Sequence, residues 1–253
     1  MDPMDMSGKV VLVTGGARGV GRGITDVFLA AGAGVSICGR HEPDDAGAAE
    51  FYQVDVREPE QVERLVDAIV SKHGRLDVVV NNAGGSPFAL AADASPRFSA
   101  SIIALNLLAP LHIAQRANAV MQQQDDGGRI INISSVSGMR PTPGTAAYGA
   151  AKAGLINLTQ TLAVEWAPKV RVNCVTGGVV LTEQSHLHYG DERGIAAVNA
   201  TVPMGRMAYP SEIGDACLFF ASPLASYVSG ANLAVHGGGE PPPYLGVQKA
   251  NPI

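Results

Sequence analysis

The chain has 253 residues, 46 % of them hydrophobic and 16 % charged, with a formal net charge of −5. These values exclude an intrinsically disordered chain, which needs low hydrophobicity and high charge. They also exclude a basic surface of the kind that holds nucleic-acid phosphates or a membrane face. Glycine is in surplus, at 30 residues against an average share of about 7 %, and it has no three-residue period, so a collagen-like chain is excluded too.

In chain order, short apolar runs alternate with helical stretches. Val10–Val13 is the first predicted strand and leads straight into a glycine-rich turn, Thr14–Gly21, followed by a helical stretch at Ile24–Ala31. Val35–Cys38 is the second strand. Only Gly39–Glu50 connects it to the third, around Val54, which is too short a crossover to hold much helix. Pro59–His73 is the clearest helix: Val62, Leu65, Val66, Ile69 and Val70 form one stripe, and Pro59 stands in the first turn. Leu76–Val80, Arg129–Ile133, Val170–Val175 and Leu233–Val235 are further strands, and Tyr148–Ala167 is a further helix. Phe98–Gln115 and Ala216–Gly239 carry no Asp, Glu, Lys or Arg. Their Ser, Asn and Pro residues mark them as buried elements, not membrane spans. The tail 241–253 opens with Pro241–Pro243 and is expected on the surface. This alternation predicts a single α/β domain over 1–253, with a parallel sheet of about seven strands covered by helices on both faces.

Cys38, Cys174 and Cys217 are odd in number, far apart and set among apolar neighbours. They read as buried free thiols in a reducing compartment. Met1–Met6 is acidic, and Val10–Val13 is too short for a signal segment, so a cytoplasmic location is expected. His186 and His188 could bind a metal only with a third ligand that the sequence does not offer, so no metal site is expected.

A strand, a glycine turn and a helix in succession suit a pyrophosphate, because glycine lets the backbone come close and a helix N-terminus offers free N–H groups. Tyr148 and Lys152 share one helix face, one turn apart. An ammonium beside a phenol favours the phenolate and is expected to lower its pKa, which makes the pair a candidate acid–base group. Ser135 follows a strand end, where ligands of open parallel sheets bind; Ser134 and Ser137 stand close by, and a turn-forming hydroxyl is the other reading. Asn106 interrupts an apolar run and needs hydrogen-bond partners.

The series Thr14-Gly15-x-x-x-Gly19-x-Gly21, Asp55-Val56, Asn81-Asn82-Ala83-Gly84, Asn106, Ser135 and Tyr148-x-x-x-Lys152 resembles the short-chain dehydrogenase/reductase family. The resemblance runs from about Lys9 to Gly238. It implies a Rossmann-type doubly wound sheet and a nicotinamide-linked oxidoreductase acting on a ketone/secondary alcohol pair, in a homotetramer or dimer. It implies Asn106, Ser135, Tyr148 and Lys152 as the catalytic set, with Asn106 holding a water that relays protons from Lys152. Cofactor contacts are implied for Gly15, Arg18, Gly19, Val20, Gly21, Arg40, Asp55, Val56, Asn82, Ala83, Gly84, Tyr148, Lys152, Gly178, Val180 and Thr182. The second strand ends at Gly39-Arg40, where NAD-preferring relatives carry an acid. Arg18 and Arg40 could pair with a 2′-phosphate, which favours NADP(H), with NAD(H) as the other candidate, supported by Glu42 and the short crossover. A dinucleotide-sensing binding protein without turnover is the alternative function. Two departures from the pattern are Gly177-Gly178, where the family has Pro-Gly, and His236-Gly237-Gly238, where it has Asp-Gly-Gly. The first predicts a looser substrate loop over Gly177–Tyr209, whose mixed residues do not select a substrate.

Overall fold

A computed structural model describes residues 2–241. The expected surface tail beyond residue 241 lies outside the described residues.

Seven strands form one parallel sheet in the order β3-β2-β1-β4-β5-β6-β7. They are β1 (Val10–Thr14), β2 (Gly34–Gly39), β3 (Glu50–Gln53), β4 (Val78–Asn81), β5 (Gly128–Ser135), β6 (Val170–Gly177) and β7 (Asn232–Val235). All five residues of β1 and all four of β4 are buried, as strands covered on both faces must be. The chain order reverses between β1 and β4, the place where open parallel sheets hold ligands beyond the carboxyl ends of their strands.

One face of the sheet is covered by α1 (Gly19–Ala30) and, later in the chain, by Pro210–Ala221; Ile24, Phe28, Ile213 and Phe220 fill that layer. The other face is covered by α2 (Pro59–His73), by the helical rod Pro96–Met121 and by Ala146–Trp166, with Leu65, Ile69, Ile113 and Leu162 inside. The α2 stripe read from the sequence is the buried face: Val62, Leu65, Val66 and Ile69. The crossover 40–49 contains bends and turns and no helix, as its length requires.

The rod consists of α3 (Pro96–Ile103), a π turn (Ala104–Leu108) and α4 (Ala109–Met121). Pro110 has no N–H to give to the Asn106 carbonyl four residues back, which accounts for the irregular turn there. The rod is long and apolar enough to cross a membrane by length and composition, yet it packs on α2, β4 and β5. The remaining helices are α5 (Ala146–Trp166), α6 (Ser185–Tyr189), α7 (Glu192–Asn199) and α8 (Pro210–Ala221).

Three expectations need adjustment. The third strand is Glu50–Gln53 and ends just before Val54, whose N–H still donates to the Gly39 carbonyl at 2.9 Å. The first helix begins at Gly19, inside the glycine motif, because the motif itself supplies its first turn. Phe98–Gln115 is buried only on the side facing the sheet. Ile102, Asn106 and Ile113 are inside, whereas Leu108 is 42 % exposed, because a single chain has nothing to cover the far side.

Candidate active site at the carboxyl ends of the strands

The glycine turn runs from the end of β1 into α1. Gly15 and Gly19 adopt left-handed φ of 64° and 53°. A Cβ on Gly21 would fall 2.1 Å from the Gly15 carbonyl oxygen, so the turn closes only with glycine there. Val20 follows in the first turn of α1. The Asn82 amide braces the turn from β4, donating to the carbonyls of Thr14 at 2.9 Å and Gly15 at 3.3 Å. The Thr14 hydroxyl in return accepts from the backbone N–H groups of Asn82 and Ala83. The Asn82 side-chain donor is thus spent on the glycine turn itself.

Gly84 and Gly85 meet the π turn. The Asn106 side chain is fully buried and clamps Gly85 from both sides. Its Oδ1 accepts from the Gly85 N–H, and its Nδ2 donates to the Gly85 and Ile102 carbonyls, each at 2.9 Å. The Asn106 side-chain amide is thus engaged in fixing the loop after β4. A Cβ on Gly84 would lie 2.6 Å from Asn106 Oδ1 and 3.3 Å from Lys152 Nζ, so this glycine lets the loop close over the lysine.

Alternation along β5 separates its two serines. Ser134 is buried and its hydroxyl donates to the Lys152 carbonyl at 3.0 Å, tying β5 to α5. Ser135 points the other way. Its Oγ accepts from the Ser137 N–H at 3.2 Å, so the turn-forming role is real, and its own proton remains available to a neighbour.

Tyr148 and Lys152 stand side by side on α5, with Lys152 Nζ 5.6 Å from the centroid of the Tyr148 ring. Nζ donates to the Ile133 carbonyl at 2.8 Å. Burial lowers the Lys152 pKa from 10.5 to about 8, with the nearby Cys174 acting weakly the other way. Burial raises the Tyr148 phenol above its ordinary 10, and the hydrogen bond with Ser135 opposes this less strongly. The net direction is upward because removing the phenolate from water outweighs that hydrogen bond.

After β6 the chain passes Gly177 and Gly178. Gly178 donates to the Val235 carbonyl, and Val180 bridges to Ala208, fixing the base of the substrate loop. Thr182 is anchored by Ser185, whose Oγ accepts from its N–H at 2.9 Å, and the Thr182 methyl lies 3.6 Å from where a Gly19 Cβ would be. The loop predicted to be loose is therefore seated on the glycine turn.

Arg18 and Arg40, the arginines expected to select the cofactor, are both exposed. Arg40 lies near enough to Asp55 to help hold its carboxyl below the usual range, although the main cause is the hydrogen bond from Arg57. Arg57 pairs with Asp55 through both carboxylate oxygens. The sequence reading missed Arg57, and a base two residues past an acid at a strand end is the signal for it. Val56 is buried against α2, so only its backbone faces outward chemistry. Glu183 was also missed: its carboxylate accepts from the Gly19 N–H at 3.1 Å. His186 turns back on the Glu183 carbonyl at 2.9 Å, and His188 leans on Tyr189. All three cysteines are free and buried, as expected.

Comparison with known proteins matches the geometry. The family described as Enoyl-(Acyl carrier protein) reductase matches residues 15–240. A D-threitol dehydrogenase of Mycolicibacterium smegmatis is 34 % identical over 244 residues, covering 92 % of this chain and 93 % of the relative. An uncharacterised short-chain type dehydrogenase/reductase of Sinorhizobium fredii is 35 % identical over 244 residues; the match covers 91 % of this chain and only 43 % of that longer relative. The ligand-free structure of Thermoplasma acidophilum aldohexose dehydrogenase superposes with a TM-score of 0.88 at 31 % identity, covering 98 % of both chains.

Proposed function

Because this chain belongs to the short-chain dehydrogenase/reductase family of oxidoreductases, we propose that it interconverts a ketone and a secondary alcohol with NADP(H), NAD(H) being the second candidate. The observation that carries this reading is the pairing of Tyr148 and Lys152 on one face of α5, with Lys152 Nζ 5.6 Å from the centroid of the Tyr148 ring.

The residues fit a dinucleotide. The turn Gly15–Gly21 excludes side chains where a pyrophosphate needs backbone, and the Gly19 N–H already holds an anionic oxygen, that of Glu183. Arg18 and Arg40 are exposed and free to meet a 2′-phosphate, which is the support for NADP(H). Gly84 stands in the loop after β4, where the ribose and adenosine side would be held, and Val180 and Thr182 line the loop through which the nicotinamide half would be held. A bound nicotinamide supplies the hydride acceptor or donor.

The chain's own residues do the proton chemistry. Ser135 donates a hydrogen bond to the substrate oxygen, with its lone pair already held by Ser137. The Tyr148 phenol gives its proton to that oxygen in reduction and takes one in oxidation. Its raised pKa keeps it protonated at neutral pH, which suits the acid role. Lys152, buried and charged below about pH 8, holds positive potential beside the phenol and favours the phenolate as it forms. Asn106 holds Gly85, and through it the loop that closes over Lys152.

The uncovered side of the rod, with Leu108 42 % exposed, and α5, with Val164 82 % exposed, support assembly into a homo-oligomer.

Turnover of a ketone and alcohol panel, followed at the nicotinamide absorbance with both cofactors, tests the reading. Tyr148→Phe is expected to lower the rate by about 10²–10⁴-fold with unchanged cofactor affinity. A variant as active as the wild type overturns the mechanism. Cofactor binding by the wild type with no turnover across the panel favours a dinucleotide-sensing protein.

A further inference from the structure

Glu183 occupies an unusual position for an acid. It follows Thr182 in the loop after β6, far in sequence from the glycine turn, and its Oε1 accepts from the Gly19 N–H at 3.1 Å. Gly19 is the first residue of α1, where N–H groups lack intrahelical partners and the helix dipole favours an anion. The loop is held so that this contact forms. Val180 bridges Ala208, Ser185 accepts from the Thr182 N–H, and His186 bonds the Glu183 carbonyl at 2.9 Å. A phosphate and this carboxylate cannot share the same N–H, and as like charges they repel.

We infer that Glu183 is an internal competitor for the phosphate-binding end of α1, displaced when a dinucleotide binds, so that cofactor binding frees the segment Thr182–Tyr189 to re-form around substrate. The inference rests on the dinucleotide reading above. It makes Glu183 a positioning residue that couples the cofactor turn to the substrate loop. By linkage, whatever holds the loop on the turn weakens cofactor binding by the same factor.

The test compares wild type with Glu183→Gln, which keeps the shape and a carbonyl oxygen but removes the charge. Dissociation constants are measured for NADPH, for ADP-ribose and for adenosine, which has no phosphate. The variant is expected to bind NADPH and ADP-ribose about fivefold more tightly, with the gain shrinking as salt is raised, and adenosine equally. In wild type, amide hydrogen exchange across Thr182–Tyr189 is expected to quicken on adding ADP-ribose, which carries no nicotinamide to hold the loop. Equal or weaker phosphate-ligand binding by the variant overturns the inference, as does slower or unchanged exchange in that segment. If neither protein binds any of the dinucleotide ligands, the functional reading itself falls.

Discussion

Gly178 and His236 are in direct backbone contact: a methyl group on Gly178 would lie 2.8 Å from the His236 Cβ and 2.9 Å from its Cα. The second glycine of the pair after β6 thus adjoins the end of β7. Gly177, by contrast, has ordinary room, with Ile213 Cδ1 3.6 Å from where its Cβ would be. Gly178→Ala is expected to destabilise the fold by about 1–3 kcal/mol through overpacking. Gly177→Ala is expected to stabilise it by about 0.4–1 kcal/mol by restricting the unfolded chain. Urea titration of the two variants checks both signs; a neutral Gly178→Ala would mean that β7 can move away at no cost.

On the proposed mechanism, the two serines at the end of β5 separate stability from catalysis. Ser134→Ala removes the bond to the Lys152 carbonyl, leaves that acceptor short of a donor, and is expected to cost about 1–3 kcal/mol. Its kcat should fall far less than that of Ser135→Ala, which removes the hydrogen bond to the substrate oxygen while costing little stability. Parallel denaturation and steady-state kinetics decide the matter, and a reversed pattern would exchange the two roles.

Lys152 should leave a signature in the pH dependence of stability. Its folded pKa of about 8 is below its unfolded 10.5, so between those values the unfolded chain binds more protons than the folded one. Stability linked to this group is therefore fully present above pH 10.5 and is lost as pH falls through about 8. At 1.36 kcal/mol per pH unit the span amounts to about 3 kcal/mol. Wild type minus Lys152→Met should show this rise between pH 8 and 10.5; a flat difference would contradict a charged lysine in that burial.

On the proposed NADP(H) reading, Arg40 is one of two exposed guanidinium groups that set cofactor choice. Arg40→Ala is expected to weaken NADPH binding by about tenfold, equivalent to about 1.4 kcal/mol for a charge-assisted bond, and to leave NADH binding unchanged. Fluorescence titration with both nucleotides reads the ratio. Equal affinities in the wild type would remove the NADP preference altogether.

The order of elements was legible because each strand is a short apolar run and α2 carries an unbroken stripe of Val62, Leu65, Val66 and Ile69. The pairing of Tyr148 with Lys152 was also legible, since a spacing of four on a helix sets two side chains one turn apart whatever surrounds them. Local periodicity carries this information without reference to the rest of the chain.

What needed the folded molecule was everything set by distant neighbours. Burial, which spacing along the chain does not report, raises the Tyr148 phenol above its ordinary value. Buried amides and carbonyls take whatever partners the fold brings, so Asn82 braces the glycine turn and Asn106 clamps Gly85. Arg57 answers Asp55, and Glu183 reaches Gly19, 164 residues away in sequence. By itself the sequence determined the alternation of strands and helices, the glycine turn and the Tyr148–Lys152 spacing, because those are properties of neighbouring residues along the chain. Only the tertiary structure decided which polar groups are left free to act, because desolvation and long-range hydrogen bonds exist only once the layers have packed.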